Sequence, residues 1–369
     1  MGDHHEYILQ FQGIAIVNIQ TFIMPIPCAP AILEGATLTL TLDRGKATTS
    51  AYMCVSSLVS SRSVLFRVLK TGPQVRMSDE GRVISSGSLT TDIQINNAAD
   101  HAEIWLQQTQ FPVEGGAGEL NVFHPATGRL ATVTEFQNSS ESSFTFDNEN
   151  AAVWVKNPAG PGRHKLTAYD AATKEKTTQL EQKTGVKDNA FMRALYSQHP
   201  TTPPNRVFLY NDSAETCLYP VHGSATPDMT PIAIPSADLD GREVHTMLET
   251  RAHRVEYLFT NTTRTVDEIV VLVTSLQRGV VKVCRLPCRN FVMAGEPCVN
   301  PVDDTIQVIN RNTGTLIALD VMNEVSRPVA PVPLDVNSEI RLQCDDQGAS
   351  FIFGLDHLGQ STLVIIESS

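Results

Sequence analysis

What most constrains this chain is a run of short alternating segments that recurs along it. From Thr305 the sequence reads Thr-Ile-Gln-Val-Ile-Asn-Arg-Asn-Thr-Gly-Thr-Leu-Ile-Ala-Leu. Ile306 and Val308 alternate with polar positions, Asn310 to Gly314 carries turn chemistry, and Leu316 and Ala318 alternate again. Period-two alternation on either side of an Asn/Gly turn predicts a β-hairpin. The Pro-rich stretch at Pro328, Pro331 and Pro333 suits an edge segment, because proline cannot donate to a ladder. Ile340–Cys344, Phe351–Phe353 and Leu363–Ile366 complete the unit.

The same order occurs about a hundred residues upstream. Val207 and Leu209 match Ile306 and Val308, and Pro231–Pro235 matches Val329–Pro333. Tyr257–Phe259 matches Phe351–Phe353, and Val270–Val273 matches Leu363–Ile366. A weaker echo aligns Leu120–Ala131 with Ile306–Ile317, with Phe144–Phe146 and Val153–Val155 following. Any two runs of hairpins share some of this pattern, since each needs alternation and turn residues. With or without duplication the chain is all-β.

Ala36-Thr-Leu-Thr-Leu-Thr-Leu42 is the cleanest strand, with leucines on one face and threonines on the other. It predicts a half-buried sheet with a wet threonine face. The expected architecture is therefore a tandem array of antiparallel β-sandwich domains, jelly-roll-like or immunoglobulin-like. One short helix is expected at Asp188–Ser197, where Asp188 can cap and Phe191 and Leu195 share a face. The domains divide as residues 1–196, with a candidate split into two sub-units near 96–118, a Pro-rich linker at 197–205, and 206–369. The last part consists of two similar units, 206–298 and 299–369.

Of 369 residues, 41% are hydrophobic and only 18% charged, which marks a globular chain rich in uncharged polar side chains. There are 28 basic residues against 40 acidic ones, a formal charge of −12, and no run of Lys or Arg. Direct nucleic-acid binding needs clustered cations and is not expected. Ile8–Leu33 is interrupted by polar residues and prolines, so it does not supply the roughly 20 apolar residues of a membrane span. The acidic start Met1-Gly-Asp-His-His-Glu is unlike a signal peptide, and the 7 cysteines do not form a dense, even framework. An intracellular, cytoplasmic location, or a virion if the chain is viral, is the expectation. The sequons at Asn138, Asn211 and Asn261 then carry no weight.

Chemistry is sparse. Cys284, Cys288 and Cys298 form the one cysteine cluster, a weak metal candidate because three thiolates need a fourth ligand and the spacing is not that of a zinc knuckle. Asp303-Asp304 and Asp345-Asp346 fall in turns, where Asp is ordinary. His245 and His253 fall within a charged segment. Hydrolase, zincin, phosphate-loop and dinucleotide motifs are absent, and no cofactor is expected. Trp105 and Trp154 each occupy the polar phase of their strands, which makes them candidate ligand or interface platforms unless a neighbouring layer covers that face.

These features predict a non-enzymatic structural subunit, a homo-oligomer that self-assembles through its sandwiches into a coat, a capsid shell or a filament. A carbohydrate-binding module taking a neutral glycan on the tryptophans is the alternative. An enzyme assembled from distant residues ranks third.

Overall fold

The computed structural model describes residues 21–25, 36–44, 48–57, 62–72, 74–96, 103–110, 116–136, 142–147, 152–158, 163–183, 191–194, 207–210, 217–221, 232–233, 242–249, 256–261, 264–275 and 279–367. Every element among them is a β-strand, and the strands form seven four-stranded antiparallel sheets. Six sheets are simple meanders. Blade 1 holds β2 (Ala36–Arg44), β3 (Thr48–Ser57), β4 (Arg62–Thr71) and β5 (Gln74–Ser86). Blade 2 holds β6 (Ser88–Asn96), β7 (Glu103–Gln110), β8 (Gly118–His124) and β9 (Arg129–Phe136), and blade 3 holds β10 (Ser143–Asp147), β11 (Ala152–Pro158), β12 (Arg163–Asp170) and β13 (Lys176–Lys183). Blade 4 holds β14 (Phe191–Ala194), β15 (Val207–Tyr210), β16 (Cys217–Val221) and β17 (Ile232–Ala233). Blade 5 holds β18 (Glu243–Glu249), β19 (Glu256–Asn261), β20 (Val266–Ser275) and β21 (Gly279–Phe291). Blade 6 holds β22 (Met293–Val299), β23 (Ile306–Asn310), β24 (Thr315–Asp320) and β25 (Val325–Pro331).

Blade 7 is built differently. β26 (Arg341–Cys344), β27 (Ser350–Leu355) and β28 (Ser361–Ile366) come from the end of the chain, and the fourth strand is β1 (Thr21–Pro25). β1 pairs antiparallel with β28, Ile23 opposite Val364. The first strands of the blades neighbour one another in the sequence β14, β10, β6, β2, β26, β22, β18, so the last blade lies against the first. Consecutive meanders set side by side, with a terminal strand shared across the join, are the layout of a β-propeller.

The cores sit between blades. Leu38, Leu40, Met53 and Phe66 of blade 1 pack on Phe351, Phe353 and Leu363 of blade 7. Tyr52, Cys54 and Leu65, on the opposite face of blade 1, pack on Ile93, Ile104 and Leu106 of blade 2. Equivalent clusters join blades 2 and 3, 5 and 6, and 6 and 7. Inner strands such as β3, β7 and β23 are therefore covered on both faces, while the outer strands β9 and β25 stay largely exposed. Thr39 and Thr41, the expected wet face of β2, are 3% and 5% exposed.

Polar groups at these joins bond across them. Glu339 Oε2 accepts from Leu38 N at 2.8 Å, while Arg341 Nε donates to Leu38 O at 2.6 Å and Gln343 Nε2 to Leu40 O at 2.8 Å. Three side chains from and beside β26 thus satisfy the free backbone edge of β2. Gln94 repeats the device between blades 2 and 3, donating to Phe144 O and accepting from Phe146 N at 2.9 Å. Lys70 of β4 reaches Glu367 at 3.0 Å and Asp345 at 3.7 Å, a further tie between blades 1 and 7.

The tandem-sandwich expectation is corrected by this topology. Sandwiches would pair large sheets two by two, whereas the sheets here are small, sequential and packed on both sides. The predicted linker helix is corrected as well, because Phe191–Ala194 is β14, paired with β15 from Phe191↔Tyr210 to Ala194↔Val207. A helix of ten residues gains little by itself, and a partner strand satisfies the same backbone. The Pro-rich stretch 197–205 lies outside the described residues.

The repeat falls on this frame in an instructive way. Val207–Leu209 and Ile306–Val308 both open second strands, β15 and β23, and Tyr257–Phe259 and Phe351–Phe353 are the second strands β19 and β27. The upstream match is thus a shift of two blades. The Leu120 echo joins β8–β9, third and fourth strands, to β23–β24, second and third. It reflects shared turn chemistry out of phase with the blade.

Candidate functional site

Hairpin turns of one kind bring the site together. Between β12 and β13 the turn is Asp170-Ala-Ala-Thr-Lys174. Asp170 Oδ1 accepts from Thr173 N at 2.7 Å, Ala172 N at 2.9 Å and Thr173 Oγ1 at 3.1 Å. These bonds, the Thr173 amide foremost, hold the Asp170 carboxyl below the usual carboxylate range. The turn closes with Lys174 N donating to Asp170 O at 2.9 Å and Lys174 at φ 64°, a left-handed residue where glycine is usual. The turn between β8 and β9 is cognate: His124 O accepts from Gly128 N at 2.8 Å, and Gly128 has φ 70°. Both turns join third to fourth strands, so they lie at the same end of neighbouring blades.

Lys174 is thereby aimed back at blade 2. Its Nζ lies 2.6 Å from Glu103 Oε2 and 4.9 Å from the Trp105 ring centroid, and it also donates to Ala171 O. Glu103, the first residue of β7, accepts from Asn96 Nδ2 at 3.4 Å and places Oε1 3.8 Å from His124 Nδ1. One carboxylate therefore stands between an ammonium and an imidazole. Side-chain exposure is 14% for Glu103, 23% for Lys174 and 33% for His124, so the group is held by its neighbours yet reachable from solvent. The Lys70–Asp345 pair, by contrast, is sealed at 4% and 0%. It fastens blades together and leaves a ligand no way in.

The residues singled out from sequence lie elsewhere or deeper. Trp105 is fully buried, packed with Phe144, Phe146 and Val155 between blades 2 and 3. Its ring is 6.3 Å from that of Phe146, and its buried Nε1 has no hydrogen-bond acceptor. Trp154 is 7% exposed. The polar phase of the Trp105 strand is the face turned to blade 3. Cys284 and Cys288 lie in β21 within the core between blades 5 and 6, while Cys298 of β22 packs on the core between blades 6 and 7. The three cysteines are not brought together, and among the described residues no three His, Cys, Asp or Glu side chains converge as a metal site. Asp303 bonds Thr305 and Arg327, and Asp345 Oδ1 caps its own turn at Gln347 N and Ala349 N. His253 lies outside the described residues. Glu103, His124 and Lys174 carried no linear signal: Lys174 and Glu103 are 71 positions apart.

No protein-family model matches the chain, and no curated protein is similar to it in sequence. Solved structures do share its fold. The β-propeller domain of the Trilobed protease from Pyrococcus furiosus superposes with a TM-score of 0.54 at 9% identity, over 91% of this chain and 95% of that one. Hydrazine synthase from Kuenenia stuttgartiensis gives 0.55 at 10%, over 98% and 99%. Oligogalacturonate lyase from Vibrio parahaemolyticus gives 0.51 at 9%, over 96% and 97%. The likeness is one of fold. It agrees with the propeller layout and removes the sandwich architecture on which a coat, capsid or filament subunit was expected; the lectin-like reading loses its platforms instead to the burial of Trp105 and Trp154. The expectation of a non-enzymatic subunit rested on the sandwich architecture and falls with it; the structures that share the fold include the propeller domain of a protease and a lyase.

Proposed function

We propose that the chain is an enzyme-type propeller whose join between blades 2 and 3 carries proton-transfer chemistry on a small carbonyl- or carboxylate-bearing substrate. The observation that carries this reading is Glu103 held between Lys174 and His124, all three side chains partly open. In this reading Lys174 neutralises charge developing on a substrate oxygen, and the His124 imidazole removes and returns the proton. Glu103 orients both. The cluster holds no serine or cysteine nucleophile, which favours elimination or isomerisation over acyl transfer. The fold shared with a lyase and with a protease propeller is consistent with this and adds no residue to it.

The test is a turnover assay on the purified full chain with two probes. Oligogalacturonate reports elimination through a new conjugated double bond, and an aminoacyl p-nitroanilide reports peptidase action. Lys174→Met and His124→Gln should each lower elimination about a hundredfold or more with an unchanged unfolding midpoint. Absence of elimination by the unsubstituted chain, or full activity in both variants, would overturn the proposal.

A further inference from the structure

Cys298 and Cys344 stand on the first strands of adjacent blades, β22 and β26, their Sγ atoms 3.1 Å apart. They are 46 positions apart in sequence, so the join between blades 6 and 7 alone makes them neighbours. Cys298 is half-buried and Cys344 buried, with Ser350 Oγ 3.8 Å from its sulfur. The pair borders the cluster of Ile309, Leu316, Ile340 and Ile352. β22 and β26 also approach closely here, since a Cβ on Gly295 would come within 2.7 Å of Ile340 O. One sulfur within reach of solvent, backed by a second in a closely fitted join, is the arrangement of an attacking and a resolving thiol.

We propose that Cys298 and Cys344 form a redox-modification site, at which a low-molecular-weight disulfide converts the two thiols into a covalent latch between blades 6 and 7. The Cys298 thiolate attacks one sulfur of the oxidant RSSR, breaking its S–S bond and releasing RS⁻, which takes the proton Cys298 gave up. The Cys344 thiolate then attacks Cys298 Sγ in the mixed disulfide and expels the second RS⁻, which takes the Cys344 proton. In sum, two protein thiols and RSSR give one protein disulfide and two RSH, with the protein oxidised and the reagent reduced by two electrons. A dithiol reverses both steps. The latch is made on blade 7, the blade that β1 closes from its other side, so it ties that blade to blade 6.

The test treats the full-length reduced chain with oxidised glutathione, blocks residual thiols by alkylation and maps peptides by mass spectrometry. The expected result is a Cys298–Cys344 cross-linked pair, lighter by two hydrogens than the separate peptides, lost again with dithiothreitol. The oxidised chain should also unfold at higher temperature than the reduced chain, because the cross-link restricts the unfolded state. Cys298→Ser should abolish both the cross-link and the thermal shift, and Cys344→Ser should leave glutathione trapped on Cys298. Persistence of the mixed disulfide in the unsubstituted chain, or oxidation directed to another cysteine pair, would overturn the proposal.

Discussion

At the scale of single residues, burial sorts the thiols by reactivity. Burial pushes Cys54 and Cys288 up to about 11, and Ser56, a weak bond away from Cys54, offsets little of this. The thiolate is the species that reacts, so both should be slow towards alkylating agents. With iodoacetamide at mildly alkaline pH, Cys54 and Cys288 should be modified roughly a hundredfold more slowly than an ordinary exposed thiol, and half-buried Cys298 ahead of the buried Cys54, Cys284, Cys288 and Cys344. Equal rates by peptide mapping would contradict this. The same shifts set a direction for stability. A thiol whose pKa is raised by folding contributes stability that is complete below the unfolded value and lost as pH climbs through the folded one. The chain should therefore weaken in denaturant between about pH 9 and 11, with the loss reduced in Cys54→Ala. Asp170 works in the opposite sense. Its lowered carboxyl supports the β12–β13 turn above the usual carboxylate range, and that support fades as acid protonates it.

At the scale of elements, the turns and the close approaches between first strands decide what each position tolerates. Glycine is required where a left-handed backbone coincides with a neighbouring chain. Gly295 meets both conditions, with φ +71° and Ile340 O 2.7 Å from a would-be Cβ. Gly72 has φ +53° but nothing within 4 Å. Gly72→Ala should thus cost about 1 kcal/mol, the left-handed penalty alone, while Gly295→Ala should cost roughly twice that or more because β22 and β26 must also move apart. Denaturant midpoints at constant slope compare the two, and equal losses would mean that the blades separate freely. Lys174, Asp304 and Glu324 occupy left-handed turn positions without being glycine. Lys174 shows why a side chain can be kept there, since its ammonium bonds Glu103 of the next blade.

At the scale of the whole molecule, the ring depends on the two chain ends meeting. β1 supplies the outer strand of blade 7, and Glu339, Arg341, Gln343 and Lys70 fasten that blade to blade 1. A chain lacking residues 1–25 would leave the β28 edge open for pairing with other molecules. It should unfold at a lower denaturant concentration than the full chain and associate on concentration, as followed by light scattering. An unchanged midpoint with a monomeric solution would show that β1 is dispensable for closure.

Local alternation and turn chemistry were enough to read the strands. The hairpins at Leu120 and Phe144 stand where Leu/Phe/Val alternation places them, because backbone pairing and turn geometry act over a few residues. The repeat itself was visible in Tyr257–Phe259 and Phe351–Phe353, whereas its span of two blades came only from the sheets. The destination of each face was not. Thr39, Thr41 and Trp105 lie on phases that read as polar, and a propeller buries those phases against the next blade with threonine, glutamine and asparagine bonded across the join. A sandwich exposes them, and the strand sequence is compatible with either. Phe191–Ala194 became β14 because β15 lies beside it. Glu103, His124 and Lys174, like Cys298 and Cys344, meet through contacts between blades, which depend on how the sheets pack. Strand and turn were therefore written in the local sequence, while the ring, its candidate acid–base group and its paired thiols were decided by the packing of whole sheets.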